Sequence, residues 1–221
     1  MKNAVIIGAS GGLGSALANA LEARGTAVTR LSRRADGLDL TDETSIERVL
    51  GRLTAPQDLI LVASGVLAAD GHRPEKSIRQ VTAQALAAQF AVNAIGPMLV
   101  LKHALHLIPR DRPSVFATLS ARVGSIGDNR LGGWHSYRAS KAALNQLIHG
   151  AAIELSRSHP QACAICLHPG TVETDLTRQF AAGHATVTPA QAAQTLLRVI
   201  DGLTPDDTGG FLDWAGEPIP W

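Results

Sequence analysis

In the stretch SYRASKAALN, from Ser136 to Asn145, a tyrosine and a lysine stand four residues apart in an alanine-rich run that reads as a helix. Residues i and i+4 of a helix share a face, about 5–6 Å apart at Cβ, so Tyr137 and Lys141 address one point in space. Ionising a tyrosine near neutral pH requires its ordinary pKa of about 10 to fall by some three units, roughly 4 kcal/mol. An ammonium about 4–5 Å away supplies up to roughly 4 kcal/mol at an effective dielectric near 20. The pair is therefore sufficient for acid–base work. The plainer alternative is a tyrosine at a helix start and a lysine reaching for water. Ser120, at the carboxyl end of the strand-like run SVFATLS, adds a hydroxyl that can donate a hydrogen bond to a substrate oxygen.

The elements that must position these groups alternate along the chain. NAVIIG, AVTRLS, DLILVAS, SVFATL, ACAICLH and GGFLDW read as strands, several of them continuously apolar, which implies a sheet covered on both faces. Between them lie helical runs such as Leu13 to Arg24, where Leu13, Leu17, Ala20 and Leu21 share a face, and a long helix from about Ser136 to Ser158. Strand and helix in alternation mean parallel β-α-β units. The glycine-rich or irregular segments Gly124 to Trp134 and Thr171 to Thr188 are expected as loops beyond the carboxyl ends of the strands, where ligands of such sheets bind.

The first strand runs into GASGGLGSALANAL, which places Gly8, Gly12 and Gly14 directly before an amphipathic helix. Gly8 allows a sharp turn, Gly12 lets the backbone approach a pyrophosphate, and Gly14 lets the helix pack closely on the sheet. The helix N-terminus offers free N–H groups and partial positive charge. The spacing differs from the common G-x-G-x-x-G because position 10 is serine, and such a loop can also be a tight corner or serve S-adenosylmethionine. Its place after the first strand favours a dinucleotide. After the second strand comes LSRRADGLDL: Ser32, Arg33 and Arg34 suit a 2′-phosphate, so NADP(H) is expected, with NAD(H) as the alternative because Asp36 is near.

Bulk composition removes other classes. With 221 residues, 45% of them hydrophobic, and 20 Lys+Arg against 19 Asp+Glu, the chain suits one globular domain and advertises neither nucleic acid nor an anionic membrane. The apolar runs LILVASGVLAA and PMLVL fall short of the roughly 18 residues of a membrane span, and no export signal is visible, so a cytoplasmic protein is expected. Cys163 and Cys166 lie in a strand-like run, where side chains three apart face opposite ways, so they read as two buried thiols and not as a metal or redox pair. His103 and His106 lack a carboxylate on their own helix, and no metal site is expected; the charged run RPEKSIR reads as a solvated loop.

Together, Gly8-x-x-x-Gly12-x-Gly14, Asp39-Leu40-Thr41, Asn93-Ala94-Ile95-Gly96, Ser120, Tyr137-x-x-x-Lys141 and Pro169-Gly170-x-x-x-Thr174 make the sequence resemble the short-chain dehydrogenase/reductase family. The segment SARVGSIGDNRLGGWHSYRASKAALN and the end FLDWAGEPIPW look further like its small branch containing the C-factor, a cell–cell signalling protein, and related carbonyl reductases. The resemblance implies a single α/β domain over residues 1–221, a doubly wound (Rossmann) parallel sheet of about seven strands with helices on both faces, and substrate loops at about 121–136 and 171–188. It further implies Tyr137 as acid/base, Lys141 lowering its pKa and holding the nicotinamide ribose, Ser120 orienting the carbonyl, and Asn93 supporting a proton relay. Cofactor contacts would come from Gly8, Ser10, Gly12, Leu13 and Gly14 around the phosphates and from Asp39 and Leu40 at the adenine. Ala63, Ser64 and Gly65, followed by Pro169, Gly170, Val172 and Thr174, would complete the nicotinamide side.

Two departures stand out: Ala63-Ser64-Gly65 replaces the family's usual Asn-Asn-Ala-Gly, and an insert before Tyr137 brings Trp134 and His135 near the site; His168 is a further candidate contact. The reaction implied is reduction of a small aldehyde or ketone, or oxidation of the alcohol. The alternative is a non-catalytic, nucleotide-dependent signalling or sensor protein, while a methyltransferase would give Tyr137 and Lys141 no role. The helix from Ser136 is apolar around much of its circumference, and family members pair through it, so a homodimer or homotetramer is expected.

Overall fold

The computed structural model describes residues 1–68, 73–178 and 185–221. Six parallel strands build the sheet: β1 (Asn3–Ile7), β2 (Ala27–Leu31), β3 (Leu59–Val62), β4 (Ser114–Leu119), β5 (Ala162–His168) and β6 (Phe211–Asp213), in the order β2-β1-β3-β4-β5-β6. The helices are α1 (Gly12–Ala23), α2 (Arg33–Asp36), α3 (Glu43–Leu50), α4 (Ala83–Phe90), α5 (Gly96–Ala104), α6 (His135–Ser158) and α7 (Pro189–Gly202). Strand order reverses between β1 and β3, and the crevice beyond their carboxyl ends is where such a sheet receives ligands.

Strand alternation sorts the apolar runs into two cores. Val5, Ile7, Ile60, Val62, Phe116 and Cys166 face one side, under α3, α5 and α6. Ala4, Ile6, Leu59, Leu61, Ile165 and Cys163 face the other, under α1 and α7. Each fully buried aliphatic side chain contributes about 1.5–3 kcal/mol, which is why strands apolar at every position settle in the middle of three layers. The two thiols lie on opposite faces, and burial pushes both up to about 12.

The sheet has six strands where about seven were expected. Among the described residues no strand lies beyond β2, the edge of the sheet; after it Ser32 caps a one-turn helix, Asp36 accepts from the Ser32 N–H at 2.7 Å, and Gly37, at φ 67°, turns the chain toward α3. Thereafter α3 leads directly into β3.

A continuous helical run, Ala83–Leu107, is also long and apolar enough by composition to cross a membrane, contrary to the reading of the separate apolar runs. Here it acts as a core helix: Ala94, Val100, Leu101 and Ala104 are buried in the sheet's core, and its polar Gln89 and Asn93 hydrogen-bond within the protein. The run changes from α to π geometry over Ala91–Ile95, around Asn93, and such π turns often mark functional positions.

Candidate active site

The glycine loop is built by contact. Gly8 adopts φ 86°, and a Cβ there would lie 2.5 Å from Ser64 Oγ. At Gly14 a Cβ would lie 2.2 Å from the Gly8 carbonyl oxygen, so α1 touches the end of β1. Ser10, Gly11 and Gly12 are exposed. Gly11 caps α1 without a side-chain hydrogen bond, and no acidic residue occupies the first turn, which leaves N–H groups turned outward. Thr174 leans over this loop, its Cγ2 3.1 Å from where a Gly12 Cβ would be. The Leu13 side chain is buried in the core, so its contribution here is its backbone N–H. A cradle of small residues before an uncapped helix fits a dinucleotide pyrophosphate.

At the end of β2, Ser32 is buried and its hydroxyl is committed to α2, accepting from Ala35 N–H at 3.2 Å. Arg33 and Arg34 are exposed. Asp39 accepts from the Thr41 N–H and hydroxyl at 2.9 and 2.7 Å, bonds that hold its carboxyl below the usual range. Leu40 is buried against Gly96, where a Cβ would lie 2.6 Å from the Leu40 Cβ. After β3, the Ala63 N–H donates to the Ile7 carbonyl at 2.8 Å and Ser64 seats against Gly8. A Cβ on Gly65 would lie 3.4 Å from Asn93 Oδ1 and 3.6 Å from Lys141 Nζ, so Gly65 sits between those two side chains.

Four residues expected to do chemistry converge through α6. Lys141 Nζ donates to the Leu119 carbonyl at 2.9 Å and lies 5.9 Å from the Tyr137 ring centroid. Burial pushes the lysine down to about 8 and the phenol up to about 12. Burial is the cause of the phenol's rise, and the lowering expected from Lys141 has no counterpart in this geometry, where the ammonium faces the carbonyl next to Ser120. Asn93 accepts from the Val66 N–H at 2.9 Å and donates to the Val66 carbonyl, Gln89 and Ser140. Its side chain is therefore a staple between helix and strand end. Ser120 donates to Asn145 Oδ1 at 2.6 Å, and the buried Asn145 Nδ2 has no partner among the described residues. Asn145 was not among the expected site residues, although it continues the Tyr137, Lys141 stripe by one more turn.

At the end of β5, burial and nearby Arg122 push His168 down to about 4, so its imidazole is neutral at physiological pH. Gly170 takes φ 77° over the Trp214 ring. Val172 is buried and bridges to Val187, while Thr174 and Thr177 bond one another. Residues 179–184 of the expected loop at 171–188 lie outside the described residues. On the other side, Trp134, with φ 49°, packs edge-on to Tyr137 at 6.1 Å, and His135 opens α6. Glu75, from the run read as a solvated loop, is instead buried against the start of this helix.

A family model described as enoyl-(acyl carrier protein) reductase matches residues 8–212. The chain belongs to the short-chain dehydrogenase/reductase family. Among relatives of this family, 1-hydroxy-2-glutathionyl-2-methyl-3-butene dehydrogenase of Rhodococcus sp. (strain AD45) is 30% identical over 236 residues, covering 100% of both chains. The C-signal of Myxococcus xanthus is 35% identical over 137 residues, covering 62% of this chain and 78% of that protein. Carbonyl reductase Sniffer of D. melanogaster has the same fold, with a TM-score of 0.85 at 22% identity and 100% of each chain covered. The NADPH-bound carbonyl reductase from chicken fatty liver gives 0.85 at 23%, covering 100% of this chain and 99% of that one. As a short-chain dehydrogenase/reductase, the protein is an NAD(P)-dependent oxidoreductase of small molecules.

Proposed function

We propose that the protein uses NADP(H) to reduce an aldehyde or ketone, with Tyr137, Lys141, Ser120 and Asn93 as its working set. The observation that carries this reading is the Tyr137 phenol beside a buried ammonium that is itself tied to the carbonyl preceding Ser120. A phenol held at about 12 stays protonated at neutral pH, so it is disposed to donate a proton to a carbonyl oxygen, the direction of reduction. Lys141, at about 8, stays cationic at pH 7 and favours negative charge developing on that oxygen. Ser120 orients the carbonyl once its hydroxyl turns from Asn145, and Asn93 braces α6 beside Lys141 through Ser140. The nicotinamide, when bound, supplies the hydride.

Gly8, Ser10, Gly12, Leu13 and Gly14 would hold the pyrophosphate, and Asp39 and Leu40 the adenine. Ala63 to Gly65, with Pro169, Gly170, Val172 and Thr174, would line the nicotinamide side. NADP(H) is favoured over NAD(H) because Arg33 and Arg34 stand exposed while Asp36, the carboxylate an NAD ribose would need, is taken up by Ser32 at 2.7 Å. The segments 121–136 and 171–188 would shape the substrate pocket.

Consumption of NADPH and NADH by purified protein over aldehydes, ketones, diketones and quinones tests this reading. NADPH-driven turnover is expected in the wild type, and Tyr137→Phe is expected to lose roughly 10²–10⁴-fold in kcat while still binding NADPH. Undiminished turnover in that variant would refute the mechanism. The likeness to the C-signal motivates a second reading, a nucleotide-dependent signalling protein, which NADPH binding without turnover across the whole panel would favour.

A further inference from the structure

Helix α6 begins without a cap of its own. Trp134, at its N-cap, lies in the left-handed region and makes no side-chain cap hydrogen bond. The first N–H groups of a helix need acceptors, and a carboxylate there is favoured by the helix dipole. That acceptor arrives from 61 residues away in the chain. Glu75, 4% exposed, accepts from the Ser136 N–H at 3.2 Å through one carboxylate oxygen and from the Ser136 hydroxyl through the other. Its backbone carbonyl accepts from the Trp134 N–H at 2.5 Å. Tyr137 is the next residue.

We propose that Glu75 is a positioning residue for Tyr137: its carboxylate caps α6 from outside the helix, fixing the first turn and with it the phenol and the Trp134 ring that packs on it. The next turns have separate anchors, Lys141 on the Leu119 carbonyl and Asn145 on Ser120. Loss of Glu75 therefore loosens the phenol and leaves the lysine and the nucleotide cradle in place. This assignment rests on the reading of Tyr137 as the proton donor.

The chain has one tyrosine, so the ultraviolet absorbance of phenolate reports Tyr137 alone. Glu75→Ala, Glu75→Gln and Ser136→Ala are compared with the wild type in kcat, NADPH affinity and phenol titration. In Glu75→Ala, kcat is expected to fall roughly ten- to a hundred-fold with NADPH affinity within about twofold. The phenol midpoint is expected to move from about 12 toward the ordinary value of 10.0 as the ring gains water. Glu75→Gln, which keeps an acceptor without the charge, and Ser136→Ala, which loses one bond, should shift both readouts less and in the same direction; they carry the test if Glu75→Ala fails to fold.

Folded variants that bind NADPH and keep the wild-type kcat and phenol midpoint would overturn the assignment. So would a fall in kcat with an unmoved midpoint. If the wild type turns nothing over, the functional reading fails on its own, and the phenol midpoint still decides whether Glu75 holds Tyr137.

Discussion

Replacing Lys141 with methionine should remove turnover and yet leave the protein at least as stable near neutral pH. Lys141 is 4% exposed, and its pKa falls from 10.5 to about 8, chiefly through burial. At about 1.4 kcal/mol for each factor of ten, holding the charged form inside costs about 3 kcal/mol. Against that stands the hydrogen bond to the Leu119 carbonyl, whose loss leaves a buried acceptor unpartnered at a cost of about 1–3 kcal/mol. Methionine fills most of the lysine stem's volume without strain. The net gain is then about 0–2 kcal/mol at pH 7.

The sign also fixes how this difference varies with pH. Below pH 8 the lysine is protonated in both folded and unfolded states, and the wild type bears the whole cost. Between about 8 and 10.5 the unfolded state binds more protons, so wild-type stability rises with pH and the advantage of the variant shrinks. Tyr137 and the two thiols, all pushed up to about 12, occur in both proteins and largely cancel in the comparison. Urea unfolding of both proteins at pH values of about 7 and about 10 measures it. A variant less stable than the wild type by more than about 1 kcal/mol at neutral pH, or a difference that does not change with pH, would refute the reasoning.

Two further outcomes test the scaffold and the assembly. Gly14→Ala should destabilise by about 3 kcal/mol or more and abolish NADPH binding, because its Cβ would sit 2.2 Å from the Gly8 carbonyl oxygen and α1 would have to leave the sheet; an unchanged melting temperature in urea-free buffer would contradict the packing. A groove of about 590 Å³ between α5 and α6, lined by Met98, half-exposed Leu105, Ala151 and Leu155, supports pairing through these helices. Light scattering at micromolar protein is expected to give a dimer or tetramer, and a monomeric mass would disprove it.

Much of the candidate site's geometry was legible because it is local. Gly8 needs a left-handed turn and Gly14 a missing side chain, demands that only glycine meets, and Tyr137 and Lys141 meet because four residues make about one helical turn. Alternation placed Cys163 and Cys166 on opposite faces before any coordinate was known. The six strand runs read from the residues are the six strands of the sheet, and the seventh, which only the family resemblance implied, does not form among the described residues.

What the tertiary structure decided lies in contacts between residues far apart in sequence. A charged run read as solvent-exposed supplies a buried Glu75 because the helix it caps starts 60 residues later, and no period in either segment records the other. Asn145 is visible as a polar residue on an apolar helix, but its bond to Ser120 needs β4 and α6 to meet. The largest reversal is electrostatic. Spacing alone sets how near an ammonium can come to a phenol, and so the sequence determined the pair. Only the packed fold determines how much water each has lost, and here that loss raises the phenol and lowers the amine.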